Sequence, residues 1–266
     1  MLGISRAGYY KSRRPSPSHR EIADQQLLPL VEDIFWEHRR RYGARRLAKE
    51  LTARGHHCGP GRVAKLMKRK RLVAIQPRSF LPKTTQSRHK LGYSPNLLLD
   101  APPPTAVNQI WVGDITYVPL VARKFAYLAI LMDLFSRRVV GWQLQDHMTE
   151  ALVLQVLRQA IAARQPPPTL IHHSDRGGQY AGKLYRQTLA RAAMQQSMSR
   201  PDNCYDNAFM ESCFGSIKTE LEAAVYDSIM AARKAIGDYL VYYNIQRRHS
   251  SLDYLSPANF EASPLR

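Results

Sequence analysis

Cysteine is scarce in this chain of 266 residues, which holds only Cys58, Cys204 and Cys213. So small and odd a number excludes a disulfide framework and points to free thiols. No Cys-x-x-Cys pair occurs. The run His56-His57-Cys58 therefore lacks the partners of a tetrahedral zinc site, and a loop beside a turn is the better reading. Long apolar runs are missing as well: none reaches the roughly 18 residues that a membrane-spanning helix requires. The opening stretch MLGISRAGYYKSRR also lacks the apolar segment of a secretion signal. The expectation is a soluble, cytoplasmic protein. The third shortage is negative charge, with 21 Asp and Glu against 39 Lys and Arg and a net charge of +18. No internal repeat or heptad pattern is visible.

What is present is unevenly distributed. Residues 1–100 hold 22 Lys and Arg against 7 Asp and Glu, a difference of +15, whereas residues 101–266 hold 17 against 14, only +3. Such asymmetry marks a nucleic-acid-binding half joined to a part of another kind. Within the basic half, helical spacing of apolar residues predicts helices over 20–38, 44–54 and 61–72. A Gly- and Pro-containing break over 55–61 separates the last two. In the third, Val63, Leu66 and Met67 face inward, while Arg62, Lys65, Lys68, Arg69, Lys70 and Arg71 cover most of the remainder. Two short helices joined by a Gly-containing turn, the second strongly basic, resemble a helix-turn-helix with a DNA-reading helix. Arg62, Lys65, Lys68 and Arg69 are the candidate DNA contacts. Residues 73–106 read as a linker, with Pro77, Pro82, Pro95 and the run Pro102-Pro103-Pro104.

After the linker the periodicity changes. Ile110–Leu120, Phe125–Asp133 and Val139–Gln145 read as consecutive strands, Glu150–Arg164 as a helix and Thr169–Ser174 as a short buried strand. Further helices are expected over 180–193, 205–222 and 228–243. Periodicity alone supports a mixed α/β fold.

Three acids stand out in this half. Asp114 lies inside the first strand, among Trp111, Val112, Ile115 and Val118, where an unpaired charge costs desolvation. Asp175 directly follows the short strand and precedes Gly177-Gly178, at a strand's carboxyl end where α/β sheets bind ligands. Glu211 belongs to the helix YDNAFMESCFGSIKTEL, in which Phe209, Cys213, Ile217 and Leu221 define an apolar side and Asn207, Glu211 and Lys218 a neighbouring one. Phosphodiester chemistry explains why acids would gather: two hard cations about 3.5–4 Å apart activate the attacking oxygen and stabilise the leaving one. Each acid alone also has a plain explanation, as a strand-end cap, a turn residue or a helix-surface charge, and taken singly Asp175 and Glu211 are better explained that way.

The acids lie 60 residues apart (Asp114 to Asp175) and 35 apart (Asp175 to Glu211), counting the residues between them. WVGDITY, DLFSRRVVGW, HHSDRGGQY, SRPDNCYDNAFMESCFGSIKTEL and YYNIQRRHSSLDYLSPANF resemble, in order, blocks of retroviral-integrase-like transposases. The resemblance is to the insertion-sequence-three family, in the catalytic protein encoded by the second reading frame. The segment YGARRLAKELTARG…GRVAKLMKRKRL resembles that family's helix-turn-helix region. The likeness spans roughly residues 20–262. It implies a ribonuclease-H-like α/β core in which Asp114, Asp175 and Glu211 hold two Mg²⁺ ions, with Mn²⁺ as a substitute. The implied reaction nicks one strand at each element end, and the freed 3′-hydroxyl then attacks another phosphodiester. The expected organisation is a basic helix-turn-helix region over 1–72, a linker over 73–106, the catalytic core over 107–225 and a C-terminal helical extension over 226–266. Double-stranded DNA is the expected partner, with a homo-oligomer pairing two DNA ends and the upstream-frame protein of the same element as further partners. In a bacterial cell such a protein is expected at the nucleoid.

Secondary candidates surround the acids. Lys218, seven residues after Glu211, leaves the same helix face and is expected near the scissile phosphate, the alternative being an i, i+4 pair with Glu222. His173 shares a strand face with Asp175 and is a candidate to flank the metals. Alternation along a strand prevents His172, His173, Ser174 and Asp175 from aligning as a triad. Asn203 and Asn207 are candidates to position the Glu211 helix or touch DNA, and Asp202 and Asp206 to cap it. Arg247, Arg248 and His249 read as a solvated turn or a late DNA contact, and the family resemblance favours the contact. Two other functions stay open: a nuclease that cuts without joining, and a DNA-binding regulator with a vestigial core.

Overall fold

The computed structural model describes residues 3, 5–12, 17–77, 91–99, 101–201, 207–222 and 224–263. The chain divides into two units, residues 1–76 and 77–266. The first is helical, with α1 (Arg6–Ser12), α2 (His19–Glu37), α3 (Ala44–Ala53) and α4 (Pro60–Arg69). A reciprocal cap starts α2: the Glu21 N–H donates to Ser18 Oγ at 3.3 Å, and the Ser18 N–H to Glu21 Oε2 at 2.7 Å. Pro60 opens α4, where a missing N–H costs nothing. The helix ends at Arg69, three residues before the spacing suggested, because Arg71 adopts a left-handed conformation at φ 54°. Val31, Ile34 and Phe35 of α2 share a core with Leu47, Ala48 and Leu51 of α3 and Val63, Leu66 and Met67 of α4.

The basic residues of α4 are not equivalent. Asp24 of α2 takes Arg62 Nε at 2.6 Å and Arg69 at 3.7 Å, and Glu32 takes Lys70 at 2.9 Å. Arg62 thus braces α2 against α4 through its Nε, with part of its side chain exposed. Lys65 and Lys68 are exposed.

The second unit is a five-stranded sheet flanked by helices: β1 (Ile110–Pro119), β2 (Phe125–Asp133), β3 (Val139–Gln145), α5 (Glu150–Arg164), β4 (Ile171–Ser174), α6 (Lys183–Arg191), β5 (Gln195–Met198), α7 (Ala208–Glu220), α8 (Ile229–Ile245) and α9 (Pro257–Ala262). The order across the sheet is β3-β2-β1-β4-β5. The β1–β2 and β2–β3 pairs are antiparallel, and β1–β4 and β4–β5 are parallel. Alternation divides the side chains of β1 between two cores. Ile110, Val112 and Val118 pack with α7 and α8, through Cys213, Phe214, Ile217, Ile236 and Tyr239. Trp111 packs with α5 and α6, through Leu152, Val153, Leu157 and Leu189. Among the described residues, no helix is long and apolar enough to cross a membrane.

The buried side of α7 is formed by Met210, Cys213, Phe214 and Ile217. The expected stripe is therefore displaced by about one residue, and Phe209 lies exposed with the Arg137 guanidinium 4.5 Å from its ring centre. The far end of α7 is pinned from the core. Glu220, 6% exposed, accepts from Arg247 Nη2 at 2.7 Å, from Arg247 Nε at 3.0 Å and from the Tyr239 hydroxyl at 3.1 Å. Arg247 is 4% exposed, and buried His249 stands edge-on to Tyr243 at 4.7 Å between ring centres. Arg248 donates to the Tyr254 carbonyl at 2.9 Å. The expectation of a DNA-facing Arg247 and His249 is corrected accordingly. Their charge and ring lie inside the core, because the buried Glu220 demands a cation.

Removing one partner of a buried ion pair leaves the other charge uncompensated, at a cost of about 3–5 kcal/mol. Arg247→Ala is expected to lose about that much in denaturant unfolding while leaving the salt dependence of DNA binding unaltered. A flatter salt dependence with little change in stability would return Arg247 to the surface.

Candidate active site

The pairing of β1 with β4 brings the first two acids together. The parallel register runs Ile110↔Ile171, Trp111↔His172, Val112↔His173 and Gly113↔Ser174. One further step along each chain gives Asp114 and Asp175, on neighbouring strands spaced about 4.8 Å apart. Backbone donors hold both carboxylates. The Ile115 N–H reaches Asp114 Oδ1 at 2.7 Å, and the Gly177 N–H reaches Asp175 Oδ1 at 2.9 Å. The turn is tight: a Cβ on Gly177 would stand 3.0 Å from Asp175 Oδ1 and 2.8 Å from Gln179 Oε1, so a side chain there would press on the carboxylate.

Asp114 keeps some residue surface, but its carboxyl sits among packed groups. Burial pushes that carboxyl well above the usual carboxylate range. Asp175 and, more weakly, Glu211 push it the same way, while the Ile115 N–H and Lys218 oppose them. Burial lowers the Lys218 ammonium, and Asp114 partly restores it. Asp175, Glu211 and Lys218 thus all bear on the charge of Asp114. Glu211 itself is exposed, in the first turn of α7. Among the described residues, no three His, Cys, Asp or Glu side chains stand in an arrangement that could hold a metal ion.

The flanking candidates divide. His173 is fully buried between β4 and β5, its Nδ1 2.8 Å from Ser197 Oγ and its Nε2 3.2 Å from Ser199 Oγ. Both ring nitrogens serve the sheet, which corrects its reading as a metal-flanking group. His172 lies on the other face, with Nε2 2.8 Å from the Tyr185 hydroxyl, and burial drives its pKa down to about 3. Asn207 is the buried N-cap residue of α7, although its side chain makes no capping bond. Asn203, Asp202 and Asp206 lie outside the described residues. Tyr180 was not singled out from the sequence. It is buried beside His172 and Tyr185, five residues beyond Asp175, and only its place in the glycine turn could have signalled it.

Comparison with known proteins bears on the fold and the family. An integrase core domain matches residues 104–204, a second integrase core domain model matches 192–257, and an HTH-like domain matches 21–80. The chain is 40% identical to the insertion element IS600 uncharacterized 31 kDa protein of Shigella sonnei, over 98% of this chain and 96% of that protein. It is 38% identical to the transposase for insertion sequence element IS904 of Lactococcus lactis, over 92% and 97%. It is 37% identical to transposase InsF for insertion sequence IS3A of Escherichia coli, over 98% and 91%. In solved structures, the fold resembles that of a chain in the simian T-cell lymphotropic virus intasome in complex with PP2A regulatory subunit B56 gamma. The TM-score is 0.53 at 17% identity, covering 82% of this chain and 71% of that one, a likeness of fold. Similarity on this scale, running almost end to end, places the chain in the insertion-sequence-three family of transposases.

Proposed function

We propose that the second unit cleaves one DNA strand at insertion-sequence ends and transfers the freed 3′-hydroxyl to a new phosphodiester, with Asp114, Asp175 and Glu211 as the ligands of two divalent cations. The observation that carries this reading is the convergence on Asp114: a parallel neighbour, Asp175, and two α7 residues, Glu211 and Lys218, all act on its carboxyl. Oxygen-only ligands suit Mg²⁺, with Mn²⁺ as a substitute. The donor set also fits a cation electrostatically, because three acids surround the site and Lys218 is the cation that opposes them at Asp114. Bound cations would supply Lewis-acid activation of the attacking oxygen and stabilise charge on the leaving one. Glu211, exposed at the start of α7, has the side-chain freedom to join the two strand acids.

The chain's own residues supply the rest. The Ile115 and Gly177 N–H groups fix one oxygen each of Asp114 and Asp175, leaving the carboxylates oriented before substrate arrives. Lys218, half-buried two helical turns beyond Glu211, would hold a phosphate oxygen of the incoming strand. In the first unit, exposed Lys65 and Lys68 would contact phosphates of duplex DNA, with Arg69 at the margin. Pairing of two element ends by a homo-oligomer, with help from an upstream-frame protein, belongs to the same reading.

Replacing Asp114, Asp175 or Glu211 with the corresponding amide keeps shape and removes the charge that holds cations. Each variant is expected to lose cleavage and joining while binding element-end DNA normally. The assay is a strand-transfer gel in Mg²⁺ or Mn²⁺, run also with a pre-cut 3′-hydroxyl end. Near-normal joining by any variant would remove that residue from the site, and cleavage without joining of the pre-cut end would leave a nuclease.

Lys218→Ala is expected to reduce joining with little loss of folding stability, and Lys218→Arg to retain more activity. Undiminished strand transfer by Lys218→Ala at moderate salt would assign the ammonium to the helix surface.

Neutralising Lys65 and Lys68 together is expected to flatten the log–log salt dependence of DNA binding by about two, at roughly 0.9 per phosphate contact. An unchanged slope would turn that face of α4 away from DNA.

A further inference from the structure

Asn207 opens α7 one turn before Glu211. It is 7% exposed, and its Oδ1 is buried without a hydrogen-bond partner among the described residues. Asparagine is favoured at an N-cap because its side-chain oxygen accepts from an N–H of the first turn. Here the side chain makes no such bond. A buried amide oxygen left without a donor costs stability, so its persistence calls for a physical reason.

Helix geometry sets where that oxygen lies. At 3.6 residues per turn, Asn207, Glu211 and Lys218 fall within about 40° of one another around the α7 axis. Phe209 and Glu220 lie about 140–160° away from Asn207 on the same count. Their margin has visible neighbours. Phe209 carries the Arg137 guanidinium of the β2–β3 turn, and Glu220 accepts from Tyr239 of α8. α8 in turn lies along β3, where Asn244 bonds the N–H and the carbonyl of Val139, each at 2.9 Å. The sheet order β3-β2-β1-β4-β5 then directs the opposite margin, with Asn207 and Glu211, toward β4.

The strand acids point to the same place. Asp114 has the parity along β1 of Ile110, Val112 and Val118, which pack against α7. It therefore projects from the α7 side of the sheet, and Asp175, one step beyond the paired register of β4, projects with it. Asn207 is thus buried on the margin of α7 that faces both acids, with Glu211 about 6 Å further along the axis. Carboxylates are acceptors and cannot satisfy an amide oxygen. Lys218 is too distant, eleven residues on and about 16 Å along the axis. A water held by a divalent cation is the donor that fits this margin, because Mg²⁺ keeps several of its waters when bound by few carboxylates.

We infer that Asn207 is a positioning residue for the cation site: its Oδ1 accepts a hydrogen bond from a water held by the cation that Glu211 ligates. The inference rests on the reading of Asp114, Asp175 and Glu211 as cation ligands, and extends it to a neutral residue of α7 that touches no cation. Partners beyond the ligands themselves typically alter metal affinity by 10- to 100-fold when removed.

The test is the Mn²⁺ affinity of the full chain, followed by the electron paramagnetic resonance of free Mn²⁺, together with the melting temperature of metal-free protein. Asn207→Leu keeps the approximate shape and removes the acceptor. It is expected to bind Mn²⁺ about tenfold more weakly, with a metal-free melting temperature equal to or above that of the unaltered chain. Asn207→Asp keeps the acceptor and adds charge, and is expected to bind Mn²⁺ at least as tightly as the unaltered chain. Phe209→Leu, on the opposite margin, is expected to leave the affinity within twofold. Asp114→Asn serves as the reference for the site itself. If Asp114→Asn loses Mn²⁺ binding but Asn207→Leu binds within twofold of the unaltered chain, the role of Asn207 is overturned and the site stands. A clear fall in the metal-free melting temperature of Asn207→Leu would also overturn it, since the oxygen would then already have a partner. Weaker binding by Asn207→Asp would do the same, as would an equal loss in Phe209→Leu, because any disturbance of α7 would then suffice. If Asp114→Asn binds Mn²⁺ as well as the unaltered chain, the ligand reading fails and the Asn207 inference falls with it.

Discussion

Two carboxylates on adjacent parallel strands repel each other, and the rest of the second unit can be understood as the means of tolerating that arrangement. The β1–β4 register sets Asp114 and Asp175 side by side at the point where β4 ends. Burial and the neighbouring acid both disfavour the charged form of Asp114. A fold selected for stability alone would place an apolar residue there. The juxtaposition persists because the strands are held independently of it. Apolar layers on both faces fix β1, and the backbone N–H groups of Ile115 and Gly177 compensate one oxygen of each acid. The remaining electrostatic deficit is one that divalent cations would satisfy.

The third acid depends on a different constraint. Glu211 is carried by a helix, and a helix sliding on an apolar face has little to fix its register. Glu220 supplies that fix nine residues later, through Arg247 and Tyr239, in a region from which water is excluded. A buried pair of this kind adds little net stability compared with apolar packing, and its loss from one side alone is what costs most. The C-terminal segment is tied down in the same way, where Glu261 of α9 takes Arg138 at 2.6 Å and Arg164 at 2.9 Å.

Much of this was legible in the sequence, and the exceptions share a cause. β2, β3 and α5 begin and end where alternation and helical spacing place them, because local pattern and tertiary burial coincide there. β5 escaped notice because Gln195-Gln196-Ser197 has no apolar alternation; its pairing with β4 makes it a strand. The α7 stripe was displaced because Met210 and Phe214 meet the sheet while Phe209 turns outward. Arg247, His249 and His173 were read as facing outward or into the site, since a sequence shows a charge or a ring but not its distant partner. Glu220 pairs with Arg247, and Ser197 and Ser199 with His173. The acids stood out through the blocks around them. Their shared field is a property of the folded sheet and could not be read from spacing.

The proposed chemistry requires cations to bind among Asp114, Asp175 and Glu211. Anomalous diffraction at the manganese edge, from crystals of the full chain equilibrated with Mn²⁺, locates them without reference to activity. Peaks bounded by these three carboxylates are the expected result. Peaks confined to other carboxylates, or an empty site in crystals that hold Mn²⁺ elsewhere, would contradict it.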